Sequence, residues 1–220
     1  MKTPDVLTQK VTIMANGVPL EGDLTLLENA LGMVIFVHGS GSSRLSPRNQ
    51  QVARYLNAQG FSTLLFDLLT DDENEVDQLT MDYRFDIPLL SKRIEGTVDW
   101  LLSQPSFRAM KIGLFGASTG AAAALVCAAN RVPSITAVVS RGGRPDLAGT
   151  HLEKVLAPTL LIVGSHDSDV LKLNKQAGGQ LRCENRLAIV EGASHLFTER
   201  GTLDEVCHLA AAWFSTFMQD

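Results

Sequence analysis

One stretch constrains the fold of this chain more than any other: Lys111-Ile112-Gly113-Leu114-Phe115-Gly116-Ala117-Ser118-Thr119-Gly120, running straight into Ala121-Ala122-Ala123-Ala124-Leu125-Val126. A short apolar run with a β-branched residue reads as a buried strand. The alanine-rich segment after it reads as a helix, because Ala has the highest helix propensity. Between them lies Gly116-x-Ser118-x-Gly120, the pattern of a nucleophile elbow, in which a strained strand-to-helix turn exposes a serine hydroxyl above a sheet. The spacing has a steric reason, since a side chain two residues either side of Ser118 would collide with a neighbouring strand or helix. The helix start also aims free backbone N–H groups and a positive dipole end at the serine. A glycine-rich β-to-α turn that merely caps a helix with Ser118 would carry the same letters. The rest of the chain must therefore supply a base, an acid and an oxyanion hole.

Composition sets the class. At 220 residues, with 45% hydrophobic and 20% charged residues, the chain suits a single α/β domain spanning residues 1–220. A net charge of −5 argues against binding nucleic acid or an anionic membrane surface. The start, MKTPDVLTQK, lacks the apolar core of a signal peptide, and no apolar run approaches a membrane span. Cys127, Cys183 and Cys207 form an odd, scattered set without a C-x-x-C pair. They argue for a reducing compartment, by default the cytoplasm, and against a disulfide framework or structural zinc.

In chain order, Val6–Met14 and Val18–Leu26 flank Ala15-Asn16-Gly17 and predict a β-hairpin. Met33–Val37 and Phe61–Phe66 are apolar runs that read as strands buried on both faces, with a helix between them opened by Pro47 and closed by Gly60. Leu68–Tyr83 is acidic and irregular, and reads as a surface loop or short lid. Helical spacing returns in Phe85–Leu102. Strands are expected at Ile135–Ser140, Thr159–Val163 and Arg186–Val190, and helices at Leu171–Leu181 and Leu203–Met218. This alternation implies a mostly parallel sheet with helices on both faces, without room for a large cap domain, and with ligands at the carboxyl ends of the strands.

That topology puts Ser40, Ser118, Arg141, Asp167 and His195 just past strand ends on one rim. Ser118, Asp167 and His195 follow one of the known chain orders of a catalytic triad. His195 would take the serine proton, and Asp167 would hold the imidazole in the right tautomer. Asp169 fits the same short turn as Asp167 and competes for its role. His166 adjoins Asp167 too closely to serve it, and His38 is expected to shape its loop. The developing oxyanion would meet the N–H groups of Thr119 and, from the loop His38-Gly39-Ser40-Gly41, Ser40. His166, Asp167 and Asp169 lack metal-ligand spacing, so neither a metal nor a cofactor is expected. Arg44, Arg141 and Arg144 all reach the rim. They could bind an anionic group of a substrate, or pair with Asp67, Asp86 or Asp146 and pin loops.

The segments HGSGSSRLSPRNQQVARYLNAQGFSTLLFDLLT, GLFGASTGAAAAL, VVSRGGRPDLA, TLLIVGSHDSDV and GASHLFTE together resemble the dienelactone hydrolase-like branch of the α/β-hydrolases. The likeness runs from about Val11 to Phe217 and is strongest to small cytoplasmic hydrolases, some joined to a phosphoribosyltransferase. It implies an eight-stranded α/β-hydrolase fold and the triad Ser118, Asp167, His195. Dienelactone hydrolases proper carry a cysteine nucleophile where this chain has Ser118, so lactone specificity does not transfer. The expected activity is cofactor-free cleavage of a small carboxylic ester, lactone or thioester through an acyl-enzyme. A ligand-binding or regulatory domain without catalysis, and an acyltransferase or peptidase on the same triad, are the alternatives. The sequence says nothing of oligomeric state.

Overall fold

A computed structural model describes residues 7–219. Strands β1 (Leu7–Ala15) and β2 (Val18–Leu26) form the expected hairpin, closed where Ala15 pairs with Val18. Asn16 and Gly17 both take positive φ, 52° and 84°, the backbone that a tight two-residue hairpin turn requires. Val6, at the start of the expected strand, lies outside the described residues.

The remaining strands are β3 (Met33–Val37), β4 (Ser62–Phe66), β5 (Ile112–Ala117), β6 (Ile135–Arg141), β7 (Thr159–Gly164) and β8 (Asn185–Val190). They join one eight-stranded sheet in the order β1-β2-β4-β3-β5-β6-β7-β8. Pairing is antiparallel from β1 to β4 and parallel from there to β8. The mostly parallel sheet expected from the alternation, and the eight-stranded α/β-hydrolase fold that the resemblance implies, are therefore present. All six parallel strands end at the same edge, and the loops after them share one rim.

Helices cover both faces. On one face α3 (Ile87–Ser103) and α4 (Thr119–Asn130) pack Ile94, Val98, Ala122 and Leu125 against Ile35, Leu64, Leu114 and Val138. On the other, α1 (Pro47–Ala58) and α6 (Thr202–Met218) set Val52, Leu56, Ala210 and Phe214 against Val34, Phe36, Phe115 and Val139. Full burial of one such side chain is worth about 1.5–3 kcal/mol. Strands β3, β4 and β5 are buried along their whole length, which is why they read as unbroken apolar runs. Helix α5 (Ser168–Gln180) follows β7. Among the described residues no helix is long and apolar enough to cross a membrane.

The acidic stretch departs from expectation. Residues Asp71–Thr80 form a ten-residue helix, α2, rather than an irregular loop. Thr70 accepts a hydrogen bond from Glu73 N–H, while the Glu73 carboxylate accepts from Thr70 N–H. This capping box satisfies two otherwise orphaned donors, and Asp71, Asp72 and Glu73 suit the positive helix start. Two ion pairs fasten the helix: Glu73 to Arg93 on α3, and the buried Asp77 to Arg84.

Candidate active site

Ser118 sits at the junction of β5 and α4 with φ 51° and ψ −124°. That backbone is sparsely populated for any residue with a side chain and costs on the order of 1–3 kcal/mol. The surroundings enforce it. Ser118 N–H donates to the Arg141 carbonyl (3.2 Å), and the Ser118 carbonyl accepts from the N–H groups of Ala121 and Arg144 (3.1 and 3.0 Å). A Cβ on Gly116 would lie 2.5 Å from Ala121 Cα, and one on Gly120 would lie 2.3 Å from the His38 carbonyl oxygen. The two glycines of the motif are thus held by contact with α4 and with the end of β3. The Ser118 hydroxyl is half-buried and makes no hydrogen bond among the described residues.

On the same rim, His195 Nδ1 lies 2.6 Å from Asp167 Oδ2, with side-chain exposures of 39% and 14%. Asp167 follows β7, and its loop is tied to the His195 loop by two backbone bonds: Ser165 N–H to the Val190 carbonyl and His166 N–H to that of Ala193. The approach is close enough that a Cβ on Gly164 would lie 2.2 Å from the Ala193 oxygen. Gly142 runs beneath the imidazole, its ideal Cβ position 3.6 Å from His195 Cε1. Asp169, the rival for the acid role, is exposed in the first turn of α5 and makes none of these contacts. The second imidazole nitrogen, Nε2, makes no hydrogen bond among the described residues and is free to work as a base.

The expected oxyanion donors are arranged differently from the simple reading. Ser40 N–H is not free: it donates to Thr119 Oγ1 at 2.9 Å. Thr119 N–H stands at the first position of α4, where no intrahelical acceptor exists. The β3 loop and the first turn of α4 are therefore latched by the pair of residues expected to hold the oxyanion. A contact across 79 residues of sequence was not legible in either segment.

His38 is a loop-shaping residue, as expected. Leu68 N–H donates to its Nε2 (3.1 Å), so the ring proton is on Nδ1 and faces the Gly39 carbonyl at 2.9 Å. Burial pushes its pKa below the ordinary 6.5, against the opposing pull of the Gly39 carbonyl and the Asp67 charge. The unfolded chain therefore binds this proton first. Stability should fall as pH drops below about 6.5, and the loss should level off below the folded-state pKa. Melting temperatures from pH 8 to pH 5 should fall less steeply for His38→Gln than for the wild type. Equal slopes would mean that His38 is not held neutral.

The rim arginines divide. Arg44 pairs with Asp67 and lies 3.6 Å from Asp23, and its backbone N–H also donates to Asp67. Arg144 forks onto Asp146 through Nε and Nη2, at 2.9 and 2.7 Å. Both pairs are the loop-pinning arrangement that the sequence offered as the alternative to binding an anionic group, with Asp67 and Asp146 as the partners. Arg141 is different: it is 6% exposed, and its Nη2 donates to Asn49 Oδ1 at 3.1 Å. Its guanidinium lies 5.9 Å from the Phe197 ring centre. Burial, and then the charge of Arg48, pull its pKa down to about 10. Arg48, in the first turn of α1, belongs to the same neighbourhood and was read from sequence only as part of a helix start.

Beside the β3 loop lies a cavity of about 210 Å³, walled by Ser40, Arg44, Leu68, Asn74, Arg84 and Leu90, with α2 as one side. Among the described residues no group of three His, Cys, Asp or Glu side chains could hold a metal ion.

Residues 25–216 match the model of the dienelactone hydrolase family. The structure superposes on a dienelactone hydrolase from Anabaena variabilis with a TM-score of 0.95 and 50% identity, covering 96% of this chain and 98% of that one. Two Mycobacterium tuberculosis proteins, each named "Putative phosphoribosyl transferase", are 50% identical over 211 residues, 96% of this chain. The match takes up 47% of their length, so the chain spans about half of those relatives. Est1E from Butyrivibrio proteoclasticus shares the fold at a TM-score of 0.77 and 16% identity, over 94% of this chain and 98% of its own. A strained serine between strand and helix, a His–Asp pair on the same rim and these likenesses agree: the chain belongs to the dienelactone hydrolase family.

Proposed function

We propose that this protein is a serine hydrolase of small carboxylic esters, working through an acyl-enzyme on Ser118, His195 and Asp167. The observation that carries the reading is the 2.6 Å contact between His195 Nδ1 and Asp167 Oδ2, on the rim where Ser118 projects from its elbow. The carboxylate fixes the proton on Nδ1 and leaves Nε2 as the base. Ser118 Oγ attacks the ester carbonyl carbon as Nε2 takes its proton. Thr119 N–H holds the oxyanion, joined by Ser40 N–H once that donor turns from Thr119 Oγ1 to the substrate. Collapse expels the alcohol, which leaves with the proton from Nε2. Water, activated by the same nitrogen, then attacks the acyl-enzyme and releases the acid.

The 210 Å³ cavity beside Ser40 favours a short acyl or alcohol group, including a lactone or thioester of similar size. A small ester as partner also suits the net charge of −5, which disfavours nucleic acid and membrane surfaces. Three unpaired cysteines support a reducing, cytoplasmic setting.

A fluorophosphonate probe tests the reading. One equivalent should attach to Ser118, located by peptide mass spectrometry, and p-nitrophenyl acetate and small lactones should turn over. An unlabelled serine would make this a ligand-binding or regulatory domain. Product analysis with competing nucleophiles would expose an acyltransferase or peptidase on the same residues.

A further inference from the structure

The hydrogen bond from Ser40 N–H to Thr119 Oγ1, 2.9 Å long, leaves that hydroxyl with a donor unspent. A threonine hydroxyl can accept two hydrogen bonds and donate one. Here it accepts from Ser40, and among the described residues its own proton has no acceptor. Thr119 is 3% exposed, so bulk water offers little compensation. A buried polar group left unpaired calls for an explanation, and a catalytic role is one of the recognised ones.

The hydroxyl is not needed as a strut. The Gly39–Ser40 peptide is held at its other end, where the Gly39 carbonyl accepts from His38 Nδ1 at 2.9 Å and from Ser42 N–H at 3.2 Å. Because a peptide unit is planar, those two bonds also set the direction of Ser40 N–H. Close packing holds the loop as well. A Cβ on Gly39 would lie 2.9 Å from Ser118 Cβ, and one on Gly120 would lie 2.3 Å from the His38 carbonyl oxygen.

The same geometry brings the spare donor to the chemistry. An oxyanion has to lie about 2.7–3.1 Å from the groups that donate to it. One of these is Thr119 N–H, at the first position of α4. The other is Ser40 N–H, which aims at Oγ1 of that same residue. An oxygen that takes both N–H groups therefore arrives beside the Thr119 hydroxyl. We infer that Thr119 Oγ1 is a further catalytic group, a third hydrogen-bond donor to the oxyanion formed on Ser118. At rest it accepts from Ser40. As the carbonyl oxygen gains charge, Ser40 N–H turns to that oxygen and the freed hydroxyl donates to it too. Hydrogen bonds to an ionised acceptor are roughly twice as strong as neutral ones, so the exchange favours the transition state over the bound ester. Oγ1 keeps its proton throughout, and its bond to the substrate is lost when the carbonyl re-forms. This assignment rests on the hydrolase reading above. The competing role is a passive latch, in which Oγ1 only accepts.

Thr119→Val keeps the branched shape and deletes the hydroxyl, while Thr119→Ser keeps the donor. With p-nitrophenyl acetate, Thr119→Val should lower kcat about tenfold to a hundredfold with little change in KM. Thr119→Ser should stay within a few-fold of the wild type. Acylation and deacylation both pass through an oxyanion, so kcat reads the donor whichever step limits. A passive latch predicts the opposite, because freeing Ser40 N–H would leave kcat equal or higher. Ethyl trifluoromethyl ketone, which Ser118 would add to as a hemiketal oxyanion, supplies a readout that a structural role would not move. Its inhibition constant should rise in Thr119→Val by about the factor that kcat/KM falls, whereas acetate should inhibit both enzymes alike. Thermal melts report folding, and Thr119→Ala carries the same comparison should the valine variant not fold. Wild-type kcat and ketone affinity in the hydroxyl-less enzyme overturn the assignment alone. A wild type that neither reacts with a fluorophosphonate nor hydrolyses the ester overturns the hydrolase reading, and the assignment with it.

Discussion

Ser118→Ala should abolish ester turnover, lowering kcat by several orders of magnitude, roughly 10³ to 10⁶. The same variant should melt close to the wild type. Both halves follow from the elbow. The hydroxyl makes no hydrogen bond among the described residues, so its removal leaves none of them unsatisfied. The positive φ of 51° is enforced by backbone bonds and by the glycines on either side, and alanine meets the same constraint. What disappears is the hydroxyl that the proposed mechanism uses as its nucleophile. The residual rate would come from the oxyanion donors and from binding alone. Initial rates with p-nitrophenyl acetate, alongside a thermal melt, measure the two effects together. A variant that keeps a tenth of the wild-type rate would rule out Ser118 as nucleophile.

Much of this arrangement was legible because the signals were local. Met33–Val37 and Ile112–Ala117 read as central strands because both faces are buried. Gly116 and Gly120 read as an elbow because steric contact with α4 and β3 leaves them no side chain. Once a parallel sheet is granted, residues just past strand ends must share a rim, and Asp167 and His195 meet there. The misreadings have two causes, weak local periodicity in one element and contacts made far along the chain in the others. Helix α2 shows little apolar periodicity because Val76 and Leu79 face solvent, at 46% and 86% exposure. Its one legible signal was the capping pair Thr70-x-x-Glu73. Which arginine pins a loop and which stands unpaired depends on partners in distant elements. Arg44 finds Asp23 on β2 and Asp67 past β4, while the Arg141 guanidinium meets Asn49 on α1 and the Phe197 ring. The latch between Ser40 and Thr119 is of the same kind.

Asp167→Asn should lower kcat for a neutral ester by about 10³ to 10⁴, and Asp169→Asn should leave it within a small factor of wild type. The two residues stand two apart in one turn, so position along the chain does not separate them; geometry does. Asp167 Oδ2 lies 2.6 Å from His195 Nδ1, and its side chain is 14% exposed, so solvent weakens the contact little. A carboxylate there can only accept, which commits the imidazole proton to Nδ1 and leaves Nε2 as the base. An asparagine presents an amide that can also donate, and a donor facing Nδ1 moves the proton to Nε2. A ring in that tautomer cannot accept from Ser118, and the imidazolium formed during attack loses its counter-charge. Asp169 does none of this. It is exposed in the first turn of α5, where a carboxylate interacts with the helix dipole for about 0.3–1 kcal/mol of stability. Its replacement should appear in a melting curve and scarcely in a rate. Steady-state kinetics of both variants on p-nitrophenyl acetate decide the ranking, with fluorophosphonate labelling rates as a second readout of serine activation. A deep loss in Asp169→Asn beside a near-normal Asp167→Asn would transfer the acid role to Asp169 and leave the His195–Asp167 contact as loop structure.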